Sequence, residues 1–203
     1  KEGKAAYGKI LFEPSLPVRS AAGNLKFKGV LDIRPAEQMW VDGADGIPVH
    51  VFIVKPHGFE EYKKYPLVIN VHGGPQMQWM DSFRGDWQVY PGSGYVVAFF
   101  NPHGSTGYGS KYTEAISKDW GGKVYEDVMK VTEALEKLPY VDNNRMGAMG
   151  WSYGGYMMNW LQGQTKKFKC FASMMGIFDM ESMWGHRRIM VCKLGFRRTA
   201  MEF

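Results

Sequence analysis

Residues 145–155 read RMGAMGWSYGG. An apolar stretch, Arg145 to Met149, runs into Gly150-Trp151-Ser152-Tyr153-Gly154, and a second apolar stretch with helical character follows from about Tyr156 to Leu161. The pattern is Gly-x-Ser-x-Gly set between a predicted strand and a predicted helix. Glycines two before and two after Ser152 lack the Cβ atoms that would hold strand and helix apart at a sharp turn. Such a turn lifts a serine off the end of a sheet, and the first backbone amides of the helix face the same space. The N–H of Tyr153 is the first of these donors. In a chain with 25 glycines the pentapeptide alone is a weak signal, and its setting is what gives it weight.

Upstream, Leu67 to Val71 and Tyr95 to Phe100 are short, Val-rich and bounded by Gly and Pro, which predicts strands buried on both faces of a sheet. Met39 to Val41 and Val49 to Val54 flank the turn-rich Asp42 to Gly46 and predict a β-hairpin. Val124, Val128, Val131, Leu135 and Leu138 recur at helical spacing, so a helix is predicted from about Val124 to Leu138, ended by Pro139. A last strand is predicted at Cys170 to Met174. Strands alternating with helices imply βαβ units. The expected class is therefore α/β: an incomplete α/β-hydrolase with a mostly parallel sheet and an N-terminal β-hairpin, and Ser152 as its nucleophile.

His72-Gly73-Gly74-Pro75 follows directly on the strand Leu67 to Val71. In a hydrolase this loop supplies a second amide to the developing oxyanion, and glycines let the backbone come close to the scissile carbonyl. Gly74 is the candidate donor, with His72 and Gly73 supporting the loop and Gly150, Gly154 and Gly155 supporting the serine turn. Taken alone, the tetrapeptide reads better as a tight turn with a packed histidine than as an oxyanion loop. A third cluster, GSTGYGSK at Gly104 to Lys111, is not a phosphate loop, because Ser110 separates the last glycine from the lysine.

Taken together, HGGPQMQW (72–79), NPHGSTGYG (101–109), DWGG (119–122), YVDNNRMGAMGWSYGGYM (140–157) and the stretch 168–185 resemble the prolyl oligopeptidase family of serine peptidases. The likeness is to its acylaminoacyl peptidase and bacterial dipeptidyl peptidase branch. It implies a β-propeller followed by a catalytic α/β-hydrolase domain, short peptides as substrates, Ser152 as nucleophile, and Tyr153 and Gly74 N–H as oxyanion donors. It also implies a triad Asp and His well downstream of the serine. Only 51 residues follow Ser152; His50, His57, His72 and His103 precede it, and His186 comes too soon after it. The expected organisation is a linker or propeller-exit segment at 1–36, a partial peptidase domain at 37–185 that is inactive alone, and a tail at 186–203.

Charge bears on that tail. The chain has 25 Lys plus Arg and 20 Asp plus Glu, a formal +5, and five of the basic residues lie in 186–203 beside one acidic residue. A basic excess so placed argues against a nucleic-acid-binding domain. The tail HRRIMVCKLGFRRTAMEF also leaves the resemblance abruptly after Trp184-Gly185. Back-translated and read one base later, Met190-Val191 and Met201-Glu202 each force a tryptophan codon. The shifted frame can read TEELWFVNWDFGGPPW, the continuation the resemblance implies. Residues 186–203 are accordingly expected to be a frameshift product.

Cys170 and Cys192 make neither a disulfide framework nor a zinc site by themselves, so no metal and no cofactor are expected. No apolar run approaches the roughly 20 residues of a membrane span, and none has the form of a signal peptide, so no membrane partner is expected. The expected partners are a short peptide substrate and, in the intact protein, the propeller and distal hydrolase segment. A carboxylesterase of the same fold, or a non-enzymatic truncated protein, are the alternatives.

Overall fold

The computed structural model describes residues 34–82 and 84–183, together with the backbone of two short strands, β1 (Val18–Ser20) and β2 (Gly23–Leu25). β1 and β2 pair antiparallel, Val18 opposite Leu25. Residues 1–17, 21–22 and 26–33 of the expected 1–36 segment and the whole 186–203 tail lie outside the described residues.

Six strands form the main sheet: β3 (Glu37–Asp42), β4 (Pro48–Val54), β5 (Tyr65–Val71), β6 (Val96–Asn101), β7 (Val141–Trp151) and β8 (Cys170–Met174). Their order is β3-β4-β6-β5-β7-β8. β3, β4 and β6 pair antiparallel, and β6, β5, β7 and β8 pair parallel. The expected hairpin is β3–β4, closed by a 3-10 turn at Ala44–Gly46 within the DGADG run. The helices that lie wholly within the described residues are α1 (Asp86–Gly92), α2 (Ser110–Glu114), α3 (Lys123–Glu136) and α4 (Tyr153–Gln164), and residues 180–183 are also helical.

Alternation of side chains along each strand explains why the central strands read as continuous apolar runs. Val49, Val51 and Ile53 of β4 and Val96, Ala98 and Phe100 of β6 join one buried cluster with Val124, Val128, Val131 and Leu135 of α3 and Met157, Met158 and Leu161 of α4. Phe52 and Val54, with Val97 and Phe99, join a second cluster with Trp79 and with Trp87 of α1. Helical side chains thus cover one sheet surface, and α1 with the loop before it covers the other.

Two elements depart from their predicted limits for local reasons. β7 begins at Val141, because Tyr65 pairs with Val141 and Leu67 with Met146, so the polar residues between loop out of register. Asp142 closes that loop by accepting from Asn144 N at 2.9 Å and Arg145 Nε at 2.7 Å. α4 starts at Tyr153 rather than near Tyr156, since Gly154 and Gly155 form its first turn.

Candidate active site

β7 ends at Trp151 and α4 starts at Tyr153, leaving Ser152 as the single residue of the turn, at φ 59° and ψ −115°. Positive φ costs a side-chain-bearing residue about 1–3 kcal/mol, so the surroundings must hold it there. They do so by hydrogen bonds and by close packing. Ser152 N donates to Met174 O at the end of β8 (2.9 Å), and Tyr156 N donates to Ser152 O (3.0 Å). A Cβ on Gly154 would fall inside contact distance of the Val71 carbonyl oxygen, and one on Gly150 would strike the Gly154 backbone. These are the two glycines of the pentapeptide. A Cβ on Gly155 would lie 2.6 Å from Gly176 Cα.

The HGGP loop sits against this turn. A Cβ on Gly73 would lie 3.2 Å from Ser152 Cβ and 2.9 Å from Trp151 O. Gly74 has φ 120°, a conformation that favours glycine. Ser152, His72, Gly73 and Gly74 line one cavity of about 370 Å³, whose walls include Met77, Trp79, Met149 and Met174. Its charged side chains are Arg84 and Asp86, which pair with each other through Arg84 Nε to Asp86 Oδ1 at 3.1 Å, with the guanidinium 4.4 Å from the Trp79 ring. Among the described residues no acceptor takes the Gly74 or Tyr153 N–H, and no side chain bonds the Ser152 hydroxyl. The Tyr153 side chain points elsewhere: its ring is buried, its hydroxyl donates to Trp120 O at 2.6 Å, and burial raises its pKa far above the ordinary tyrosine value.

Three histidines have other partners. Buried His72 has Nδ1 2.7 Å from Gly73 O and Nε2 2.9 Å from Ser105 Oγ, and desolvation lowers its pKa against an opposing effect of the Gly73 bond. His50 Nδ1 lies 2.9 Å from Tyr108 Oη, and its ring stacks on Trp40 with centroids 4.3 Å apart; partial burial lowers its pKa, opposed by Asp81. His103 and Asp127 form a buried pair at 2.7 Å. Asp127 also accepts from His103 N and from Ala44 N, each at 2.7 Å, which ties the hairpin turn and the loop after β6 to α3. Sequence reasoning missed this carboxylate; its signal was an acid inside the apolar stripe of the α3 helix. Among the described residues no cluster of three metal-ligating side chains occurs, and no helix is long and apolar enough to cross a membrane.

The family model of the prolyl oligopeptidase family matches residues 68–197. Dipeptidyl-peptidase 5 of Schizosaccharomyces pombe is 42% identical over 148 residues, covering 70% of this chain and 22% of that protein. Dipeptidyl-peptidase 5 of Trichophyton schoenleinii is 43% identical over 183 residues, 88% of this chain and 25% of that protein. The solved acylaminoacyl peptidase of Pyrococcus horikoshii superposes with a TM-score of 0.68 at 30% identity, covering 72% of this chain and 24% of its own. The chain thus spans about a quarter of the length of these relatives.

Proposed function

Because this chain belongs to the prolyl oligopeptidase family, we propose that it carries the nucleophile and oxyanion side of a serine peptidase site acting on short peptides, by dipeptidyl or acylaminoacyl release. One observation carries the reading: Ser152 is held at φ 59° on a strand-to-helix turn, inside the cavity that Gly73 and Gly74 also line. Ser152 Oγ would attack the scissile carbonyl carbon and lose its proton to a base. The carbonyl oxygen, gaining the electron pair, would be met by Tyr153 N–H and Gly74 N–H. Collapse of that intermediate breaks the C–N bond, the amine leaves with a proton, and water hydrolyses the acyl-serine. Preorganised donors of this kind account for about 100- to 1,000-fold in rate each.

None of the described histidines bonds Ser152, and in this reading the triad Asp and His, with the propeller that admits short peptides, belong to sequence that this chain does not contain. The 203 residues alone then have only slow, residual reactivity. A fluorophosphonate probe tests the assignment. The expected result is slow labelling of the wild-type chain that disappears in Ser152→Ala. Labelling that survives Ser152→Ala, or maps to another residue, would overturn it.

A further inference from the structure

We propose that Ser105, acting through His72, is a positioning residue that aims the Gly74 N–H toward the space above Ser152. The inference rests on the reading of Gly74 as an oxyanion donor, and it gives a role to the GSTGYG loop. A carbonyl oxygen only accepts, so the Nδ1 of His72, 2.7 Å from Gly73 O, is the nitrogen that carries the proton. Gly73 O and Gly74 N–H belong to one planar trans peptide and point in opposite directions from it. Pinning the carbonyl on the His72 side therefore turns the amide the other way.

The ring is set in turn by Ser105. Its Oγ lies 2.9 Å from His72 Nε2 and 2.6 Å from Pro102 O, and both Ser105 and His72 are almost wholly buried. With a neutral ring, one hydroxyl proton faces two acceptors. With a second proton on the ring, Nε2–H donates to Ser105 Oγ and the hydroxyl donates to Pro102 O, so every group is satisfied. Burial opposes that second proton. The hydroxyl holds the Nε2 end of the ring by accepting from Nε2–H in the charged state and, in the neutral state, by turning its proton from Pro102 O to Nε2.

Ser105 is itself well anchored. Thr113 Oγ1 donates to Ser105 O at 2.9 Å, Thr106 N donates to Met77 O at 3.0 Å, and His103 two residues earlier is bonded to Asp127 of α3. Two buried polar pairs, Asp127–His103 and Ser105–His72, joined by the backbone of Gly104, thus connect α3 to the backbone beside the serine.

The test uses the full 203-residue chain, ¹⁵N-labelled, in wild-type, Ser105→Ala, His72→Asn and His72→Leu forms. In the wild type the His72 ring is expected to be protonated at Nδ1, and Ser105→Ala is expected to shift the Gly74 amide resonance and to slow the fluorophosphonate reaction at Ser152 about 10-fold. His72→Leu should slow it about 100-fold, within the effect of losing one oxyanion donor. His72→Asn, whose amide can still donate to Gly73 O, should recover most of that loss. These effects should fall on the chemical step of labelling rather than on probe affinity. A lowered melting temperature with unchanged Gly74 resonance and labelling rate would overturn the proposal, as would a His72 ring protonated only at Nε2. If the wild-type chain is not labelled but Ser105→Ala still shifts Gly74 and the His72 ring, the hydrolytic reading fails and the positioning role stands. If neither shifts, the positioning role fails whatever Ser152 does.

Discussion

The strand-to-helix turn at Ser152 and its flanking glycines was legible because its steric need lies within five consecutive residues. His72 was visible only as part of a loop, and its partner Ser105 lies 33 positions away in a glycine-rich run that composition cannot interpret. Asp127 and Ala44, 83 positions apart, were further still from any linear pattern. His72 has a measurable consequence for stability. Its pKa in the folded protein lies below the ordinary 6.5 because burial disfavours the cation. The unfolded chain therefore takes up a proton near pH 6.5 that the folded chain refuses. By linkage, the His72 contribution is full above that pH and is lost as pH falls below it, with a limiting slope of about 1.4 kcal/mol per pH unit. Melting temperature is expected to fall between pH 7.5 and 5.5, and to fall less steeply in His72→Asn. An equal slope in both proteins would contradict the assignment.

Elements with a long period were legible and short ones were not. The α3 stripe and the apolar runs of β4, β5 and β6 announce themselves through repetition, whereas α1, which contains Pro91 and ends at Gly92, and the five-residue α2 carry too few positions for a period to show. Exact limits depended on tertiary contact, as at α4, whose first turn is built from glycines that in isolation read as a bend. Two glycines of that helix allow a matched comparison. Alanine in a helix gains up to about 1 kcal/mol over glycine. At Gly163 nothing lies within 4 Å of the added Cβ, so Gly163→Ala should stabilise by up to that amount. At Gly154 the Cβ meets the Val71 backbone, which cannot swing aside as a side chain can. Overpacking there should outweigh the helical gain and leave Gly154→Ala about 1–3 kcal/mol less stable. Chemical denaturation of both variants checks the sign of each change.

On the scale of the whole molecule, the α/β class and the family could be read from ordered motifs. Among the described residues β8 is the last strand in the sheet order, and beside its end Trp151, Met175 and Phe178 are exposed, Phe178 at 91%. A sheet edge with apolar side chains around it favours association. The 203-residue chain is expected to self-associate with rising concentration, and Met175→Lys with Phe178→Lys should reduce this in sedimentation or light scattering. A wild-type chain that stays monomeric at about 100 μM would contradict it. The basic excess, by contrast, is a local property of residues 186–203, so net charge says little about the domain that precedes them.

The bond from Ser152 N to Met174 O carries a consequence in time. The serine's unusual backbone angles are held by a carbonyl that the ribosome adds 22 residues later. While the chain is being made, the segment through Leu161 can form the turn but lacks that anchor. The backbone conformation at Ser152 is therefore completed only when β8 has emerged and docked.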